Sequence, residues 1–187
     1  MISDMADFEL PDTMKLHPPR NPLVGNAEFR AAMAAMASTV NVVTARRGDE
    51  VIGRTVTSML SLAMTPPTIL VSIDIMSRLA DIIAKTNGFS LAMLADDQQA
   101  VGSAFAGGLP AEERFSVGEW SKWPSGHPML AGAITALDCE VIGAIETGTH
   151  VLFAGAIIEA ETTTGRSPLL WQRHQFHGLS GLDVTPG

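Results

Sequence analysis

Hydrophobic and polar positions change period several times along the chain, and each change marks an element. After Asn26, a residue suited to capping a helix start, AEFRAAMAAMA brings Phe29, Met33 and Met36 onto one helical face. Residues 39–45, TVNVVTA, are rich in β-branched side chains and predict a strand. RRGDE turns the chain, and VIGRTVTSMLSLAM predicts one or two further strands. Thr65-Pro66-Pro67 interrupts them before TILVSIDI resumes as a strand. Ser77 then caps a helix, RLADIIAKT, which Asn87-Gly88 ends.

FSLAMLA is the next strand, and Asp96 is placed to cap a helix, DQQAVGSAFA, that stops at Gly107-Gly108. Residues 109–128 read as a loop. Two long strands over about 134–145 and 150–161 flank a turn at Glu146-Thr147-Gly148-Thr149, and PLLWQRHQF closes the pattern. Strands in succession joined by short turns imply an antiparallel sheet, whereas a doubly wound sheet would alternate strand and helix. The expected fold is mainly β: an antiparallel barrel with a few flanking helices, closed so that it leaves few open edges.

Composition narrows the function classes. With 187 residues, 46% hydrophobic and 17% charged, the chain suits one globular domain. Its formal net charge of −8, with no basic run, argues against nucleic-acid binding, which needs a cationic stripe. Cys139 is the single cysteine, so neither an intrachain disulfide nor a multi-cysteine zinc site can form; in its apolar strand it reads as a buried, inert thiol. Pro11, Pro18, Pro19 and Pro22 favour an extended arm, either disordered or laid across the body or a partner subunit. The division expected is an arm over 1–25, a domain over 26–180 and a tail over 181–187. The first residues lack the basic start and apolar run of a secretory signal, and no apolar stretch reaches membrane-spanning length. A cytoplasmic protein with no membrane partner is expected.

Most catalytic constellations are missing. There is no G-x-G-x-x-G, no phosphate-loop motif, no G-x-S-x-G elbow and no H-E-x-x-H. His174 and His177 share helical spacing without neighbouring carboxylates, so no metal site is expected. Asp96-Asp97 is explained by charge at a helix N-terminus. Phe115, Trp120, Trp123 and Trp171 suit ring stacking, a dimer seam or ordinary packing. Hydride transfer between nicotinamide and flavin tolerates such an absence, because the cofactors carry the chemistry and the protein holds two rings face to face.

Several segments, in one order, resemble the flavin reductase family with the FMN-binding split barrel, the small reductase components of two-component flavin-dependent monooxygenases. FRAAMAAMASTVNVVTA resembles that family's first helix and strand, and GRTVTSMLSLAMTPPTILVSIDIMSRLADII resembles its G-x-T-x-N-S-x-x-S-x-S-x-x-P-P block with the following strand and serine-started helix. FSLAMLADDQQAVGSAFAG, then ERF, EW, HPML and ALDCEV recur in the family's order. Gly148-Thr149-His150 falls where the family often has Gly-Asp-His. Three positions depart from the pattern: Thr57 and Ala92 stand where asparagine is common, and Thr149 replaces the acid.

The resemblance implies a Greek-key split barrel, FMN or FAD in its groove, and NADH or NADPH passing hydride to flavin N5. Reduced flavin would then diffuse to a partner monooxygenase. It implies flavin contacts at Thr55, Val56, Thr57 and Ser58, with backbone contacts from Leu62 and Ala63, although β propensity alone also accounts for a threonine-rich strand. It implies a phosphate site at Ser77 and Arg78, where a helix start and a cation coincide; a plain cap with a solvated arginine is the alternative. Ser38 and Thr39 approach the flavin or merely open the first strand, and His150 lies by the nicotinamide or is a turn residue. The family is usually homodimeric. A flavin-binding electron carrier or flavin-holding module with little reductase activity is the alternative function; a split-barrel oxidase of the pyridoxamine-phosphate type shares the architecture but not this motif order.

Overall fold

The computed structural model describes residues 19–179. Residues 1–18 of the expected arm, residue 180 and the expected tail lie outside the described residues. In chain order, α1 (Asn26–Ala34) precedes β1 (Ser38–Thr39), β2 (Asn41–Arg47), β3 (Glu50–Val56), β4 (Met59–Met64) and β5 (Pro67–Asp74). Next come α2 (Arg78–Thr86), β6 (Gly88–Met93), the short α3 (Gln99–Ser103), β7 (Trp120–Lys122) and β8 (Pro128–Leu130). Two long strands, β9 (Thr135–Glu146) and β10 (His150–Thr162), lead to β11 (Leu170–Gln172) and β12 (Gln175–His177).

Seven strands form one sheet in the order β3-β2-β6-β9-β10-β5-β4, antiparallel throughout. The two-residue β2–β3 turn needs a left-handed residue, and Gly48 supplies it at φ +61°. The β9–β10 hairpin inserts between β6 and β5, which gives the Greek-key departure from chain order. Helix α2 packs against β2, β3 and β6 on one side of the sheet order and against β5 on the other. One helix can touch both only if the sheet curls around it. The fold is therefore the antiparallel barrel with flanking helices that the sequence implies.

Helix α2 forms because Ser77 Oγ accepts the Ala80 N–H at 3.2 Å, and it stops because Asn87 turns left-handed at φ +55°. Leu79, Ala80, Ile82 and Ile83 make its buried stripe against Val43, Val71, Ile73, Phe89 and Phe153. Full burial of a side chain such as Phe89 stabilises by about 1.5–3 kcal/mol. Phe89 fits only because β10 has glycine opposite it: a Cβ on Gly155 would stand 2.6 Å from the ring. A second cluster, including Val42, Leu94, Phe105 and Leu130, lies beneath the 109–128 segment.

Local differences have local causes. Gly25, not Asn26, caps α1, because the Glu28 carboxylate reaches back to accept the Gly25 N–H at 3.0 Å. Phe29 and Met33 lie on α1 as expected, yet are 55% and 47% exposed; Met36, 57% exposed, falls beyond the helix, which ends at Ala34. Asp96 starts a single 3-10 turn instead of capping a helix; Ala95 holds the cap position, with its N–H donated to Gln98 Oε1. The 109–128 segment contains a 3-10 turn at Arg114–Ser116 and strand β7. PLLWQRHQF folds as the β11–β12 hairpin, with Arg173 and His174 both at positive φ in its turn. Among the described residues, no helix is long and apolar enough to cross a membrane.

Candidate functional site

Alternation along β5 and β10 builds a second surface behind the core. Val71 and Ile73, with Val151 and Phe153, point inward and are buried. Leu70, Ser72 and Asp74, with His150, Leu152 and Ala154, therefore face outward. The register sets them in rows: Ala154 beside Leu70, Leu152 beside Ser72, His150 beside Asp74. Leu60 of β4 continues the first row, and the Ser72 N–H donates to Ser58 O at 3.1 Å.

A groove of about 420 Å³ lies over this surface, within the usual range for small-molecule sites. Ser38, Thr39, Thr57, Ser58 and Ser72 bring hydroxyls to it. Met36, Met59, Leu60, Leu70 and Leu152 give it an apolar part, and no charged side chain lines it. Ser58 Oγ donates to Ser72 O at 3.0 Å, which ties the wall after β3 to the floor. Asn41 Nδ2 donates to Thr39 O at 3.1 Å and to Thr39 Oγ1 at 3.3 Å, fixing the other wall. The arrangement suits a flat, amphipathic ligand.

His150 opens β10, exposed, on the same outward face as Leu152. Its Nδ1 is 3.0 Å from Thr149 Oγ1, so a hydroxyl orients the ring where an acid was absent from the motif. Asp74 across the ladder accepts the Met76 N–H at 2.9 Å, while Ser77 Oγ donates to Asp74 O at 2.6 Å. The histidine end of this surface thus leads into the start of α2.

Arg78 at that start is already engaged. Its Nε and Nη2 donate to the two Glu50 carboxylate oxygens at 2.8 and 2.5 Å, and Nη1 pairs with Asp81. Lys85 Nζ lies 2.8 Å from Asp81. The hydrogen bonds to Glu50 hold the Arg78 pKa above its ordinary value, and Arg78 in turn lowers that of Glu50. Asp81 is lowered first by Lys85 and then by Arg78.

The other expected site residues divide between two places. Ser38, Thr39, Thr57 and Ser58 share the groove. Thr55 and Val56 line an adjoining cavity with Thr57. Leu62 and Ala63 lie exposed on edge strand β4, outside the groove lining. Ser72, Leu70 and Leu152 belong to the groove but escape motif reading; the alternation of TILVSIDI and of the strand after His150 carries their signal.

The remaining polar and aromatic candidates have structural places. Phe115 and Trp120 pack around Phe105, with ring centroids 5.0 and 5.3 Å from it. Trp123 Nε1 donates to Ser90 Oγ at 2.9 Å. His127 is buried beside them: its Nδ1 accepts the Arg46 N–H at 3.2 Å, and burial pushes its pKa down despite the nearby Asp138. Cys139 is buried, its thiol pushed up to about 12 by burial and then by Asp138, so it stays protonated and inert. Among the described residues, no group of three or more His, Cys, Asp or Glu is arranged to hold a metal ion.

Comparison with known proteins shows the family. The family model described as flavin reductase like domain matches residues 33–180. The chain is 32% identical over 161 residues to an FMN reductase (NADH) of Ancylobacter novellus, covering 86% of this chain and 88% of the relative. It is 35% identical over 159 residues to the reductase component of an FADH(2)-dependent resorcinol hydroxylase from Rhizobium sp., covering 84% and 89%. A solved structure of the NADH:FAD oxidoreductase of Streptomyces globisporus C-1027, in complex with NAD and FAD fragments, superposes with a TM-score of 0.79 at 25% identity. That match covers 88% of this chain and 100% of the other.

Proposed function

The chain belongs to the flavin reductase like domain family, and on that footing we propose that it is an NAD(P)H:flavin oxidoreductase supplying reduced FMN or FAD to a partner monooxygenase. The observation that carries the reading is the groove over β4, β5 and β10, uncharged, with hydroxyls and apolar side chains in one lining. A flavin has matching halves: a polar pyrimidine edge and ribityl chain, and an apolar benzenoid edge. Ser38, Thr39, Thr57, Ser58 and Ser72 would hold the polar half, and Met59, Leu60, Leu70 and Leu152 the apolar one. Bound there, the flavin supplies an N5 that takes hydride from NADH or NADPH.

The chain's own residues bind, orient and exclude water. Thr149 sets the ring of His150 at the end of the surface where the nicotinamide would enter, and His150 seats it. No protein acid or base is required for hydride movement between the rings. Ser77 and Arg78 would take the flavin phosphate, with Arg78 exchanging the Glu50 carboxylate for it. Thr55, Val56, Leu62 and Ala63 act through the strands that carry the groove.

Residues 26–180 are read as the catalytic domain, preceded by an arm over 1–25 and followed by a tail. A homodimer accords with the uncovered apolar surface: Phe29 and Met33 on α1, Met36 just after it, and Leu60, Leu62 and Met64 on edge strand β4. Apolar surface and an open strand edge together invite a second copy. Met64→Lys, at a side chain 89% exposed, would weaken such a dimer, measurable by sedimentation. The cytoplasm, which keeps thiols such as Cys139 reduced, is the proposed compartment. The activity is tested by NADH and NADPH consumption with and without added FMN or FAD. Flavin-dependent consumption supports the reading; bound flavin with no consumption would make the chain a flavin-holding module instead.

A further inference from the structure

We propose that the cavity between the β2–β3 turn and the 109–128 segment is a binding site for a small aromatic carboxylate, separate from the groove. The cavity measures about 400 Å³, within the range of small-molecule sites, and its lining shares no residue with that of the groove. Pairing across β2 and β3 sorts the side chains that reach it. Arg46 and Val51 are register partners, so they project to one face and line the cavity. Arg47 and Glu50 project to the other face, where Glu50 meets Arg78.

The lining selects a class of ligand. Val51, Phe115, Trp120 and Pro128 supply its apolar part. Phe115 and Trp120 meet edge to face, with centroids 5.0 Å apart at 64°, and the indole N–H is spent on Val117 O at 2.8 Å. The two rings therefore offer packing surface, not a hydrogen bond. Four charged residues surround them, Arg46 and Lys122 against Asp49 and Glu112, and their placement decides the sign of the ligand. The Arg46 side chain is 25% exposed, while Asp49 stands fully in solvent with its carboxylate 3.9 Å from Nη2, a weak partner at that distance. Arg46 Nε donates to Gly48 O at 2.6 Å, which fixes the guanidinium and leaves both Nη groups without a hydrogen bond among the described residues. A held guanidinium with open donors beside aromatic rings fits a carboxylate carried on a ring. Lys122 and Glu112 make no ion pair among the described residues, so Lys122 adds a second cation and Glu112 an acceptor for an ammonium or hydroxyl on the same ligand.

The walls are held in place before any ligand arrives. The Arg46 N–H donates to His127 Nδ1 at 3.2 Å, and Thr44 Oγ1 donates to Pro128 O at 3.4 Å, so β2 is tied to the start of β8. Arg114 Nε donates to Leu109 O at 3.1 Å and its Nη1 to Gly53 O at 3.2 Å, which ties the loop bearing Ala111 and Glu112 to β3. A site fixed in this way loses little entropy on binding.

The test uses phenylacetate as the probe, with phenylalanine and phenethylamine beside it, on the full chain, and reads Kd by calorimetry and the shift in Tm. The wild type is expected to bind phenylacetate saturably, with a rise in Tm, and to bind phenethylamine, which lacks the carboxylate, more weakly. Arg46→Met, which keeps bulk and removes the charge, should raise the phenylacetate Kd about tenfold, the scale of a charge-assisted hydrogen bond. Lys122→Met, at an exposed position on β7, should raise it about threefold, and Ala111→Phe, which fills the cavity from an exposed position, should abolish binding. Phenylalanine binding tighter than phenylacetate assigns Glu112 to the ligand's ammonium; weaker binding leaves the carboxylate as the anchor. No saturable binding of phenylacetate by the folded wild type overturns the proposal, and so does a Kd that Ala111→Phe leaves unchanged. Binding lost in Ser72→Leu but kept in Ala111→Phe would place the probe in the groove and overturn it equally.

Discussion

Asp74 and His150 are Cα partners across the β5–β10 ladder, the end pair of a run that continues through Ser72 with Leu152 and Leu70 with Ala154. Directly paired residues on antiparallel strands project to the same face. Asp74 and His150 therefore project to one face, with the Thr149 hydroxyl 3.0 Å from His150 Nδ1 and Asp74 Oδ1 accepting the Met76 N–H.

His150→Ala is accordingly expected to raise the KM for NADH more than that for flavin, without abolishing turnover. Asp74→Asn should shift the same parameter in the same direction by a smaller factor, about two- to fivefold, the scale of an exposed polar pair. A double-mutant cycle checks that the two act through one another: additive effects would separate them.

The pairing of Arg78 with Glu50 makes opposite predictions for its two members. Arg78→Ala should weaken FMN binding, through loss of a charge-assisted hydrogen bond, and leave riboflavin, which has no phosphate, unaffected. Glu50→Gln should tighten FMN binding, because it releases the guanidinium from a competing carboxylate. Titrations of FMN and riboflavin in parallel decide it; equal effects on the two ligands would remove the phosphate from this site.

Gly155→Ala should destabilise the fold by about 1–3 kcal/mol through overpacking, since the new methyl would meet the Phe89 ring at 2.6 Å and Cys139 Cβ at 2.9 Å. Urea denaturation measures it. Phe89→Leu combined with Gly155→Ala should recover part of the loss, because it withdraws the ring from the clash.

His127 sets an acid limit on stability. Its folded pKa lies below the ordinary 6.5 because it is buried. As pH falls through 6.5, the unfolded chain takes a proton that the folded chain refuses, so stability declines until the folded value is reached. Above 6.5 both states are neutral at this residue and its contribution is flat. His127→Asn, which keeps an acceptor for the Arg46 N–H, should flatten the decline of Tm across this window.

Legibility in the sequence follows the range of the interaction responsible. Helix α2 was readable because Ser77, Asn87 and the Leu79–Ile83 stripe all act within a few residues. Strands β5, β6, β9 and β10 were readable from β-branched runs and alternation. The cap of α1 went to Gly25 through Glu28, a choice that Asn26 alone could not reveal. The partner of Arg78 lies 28 residues away on β3, and Asp74 meets His150 only through sheet register; neither leaves a trace in local pattern. The family motif pointed to Thr57 and Ser58, but Ser72 and Leu152 enter the groove through pleat and pairing alone.

The central claim is that flavin is reduced in the groove over β4, β5 and β10. Ser72→Leu addresses it most directly, because the Ser72 backbone is bonded to Ser58 in both directions while its side chain opens on the groove. Reduction of FMN by NADH is followed anaerobically in a single turnover, with wild type and variant matched for far-ultraviolet circular dichroism. The account predicts rapid reduction by the wild type and a loss of at least about tenfold in the variant, the cost of one displaced ring contact. Equal rates in the two proteins would contradict it and move the reaction elsewhere on the molecule.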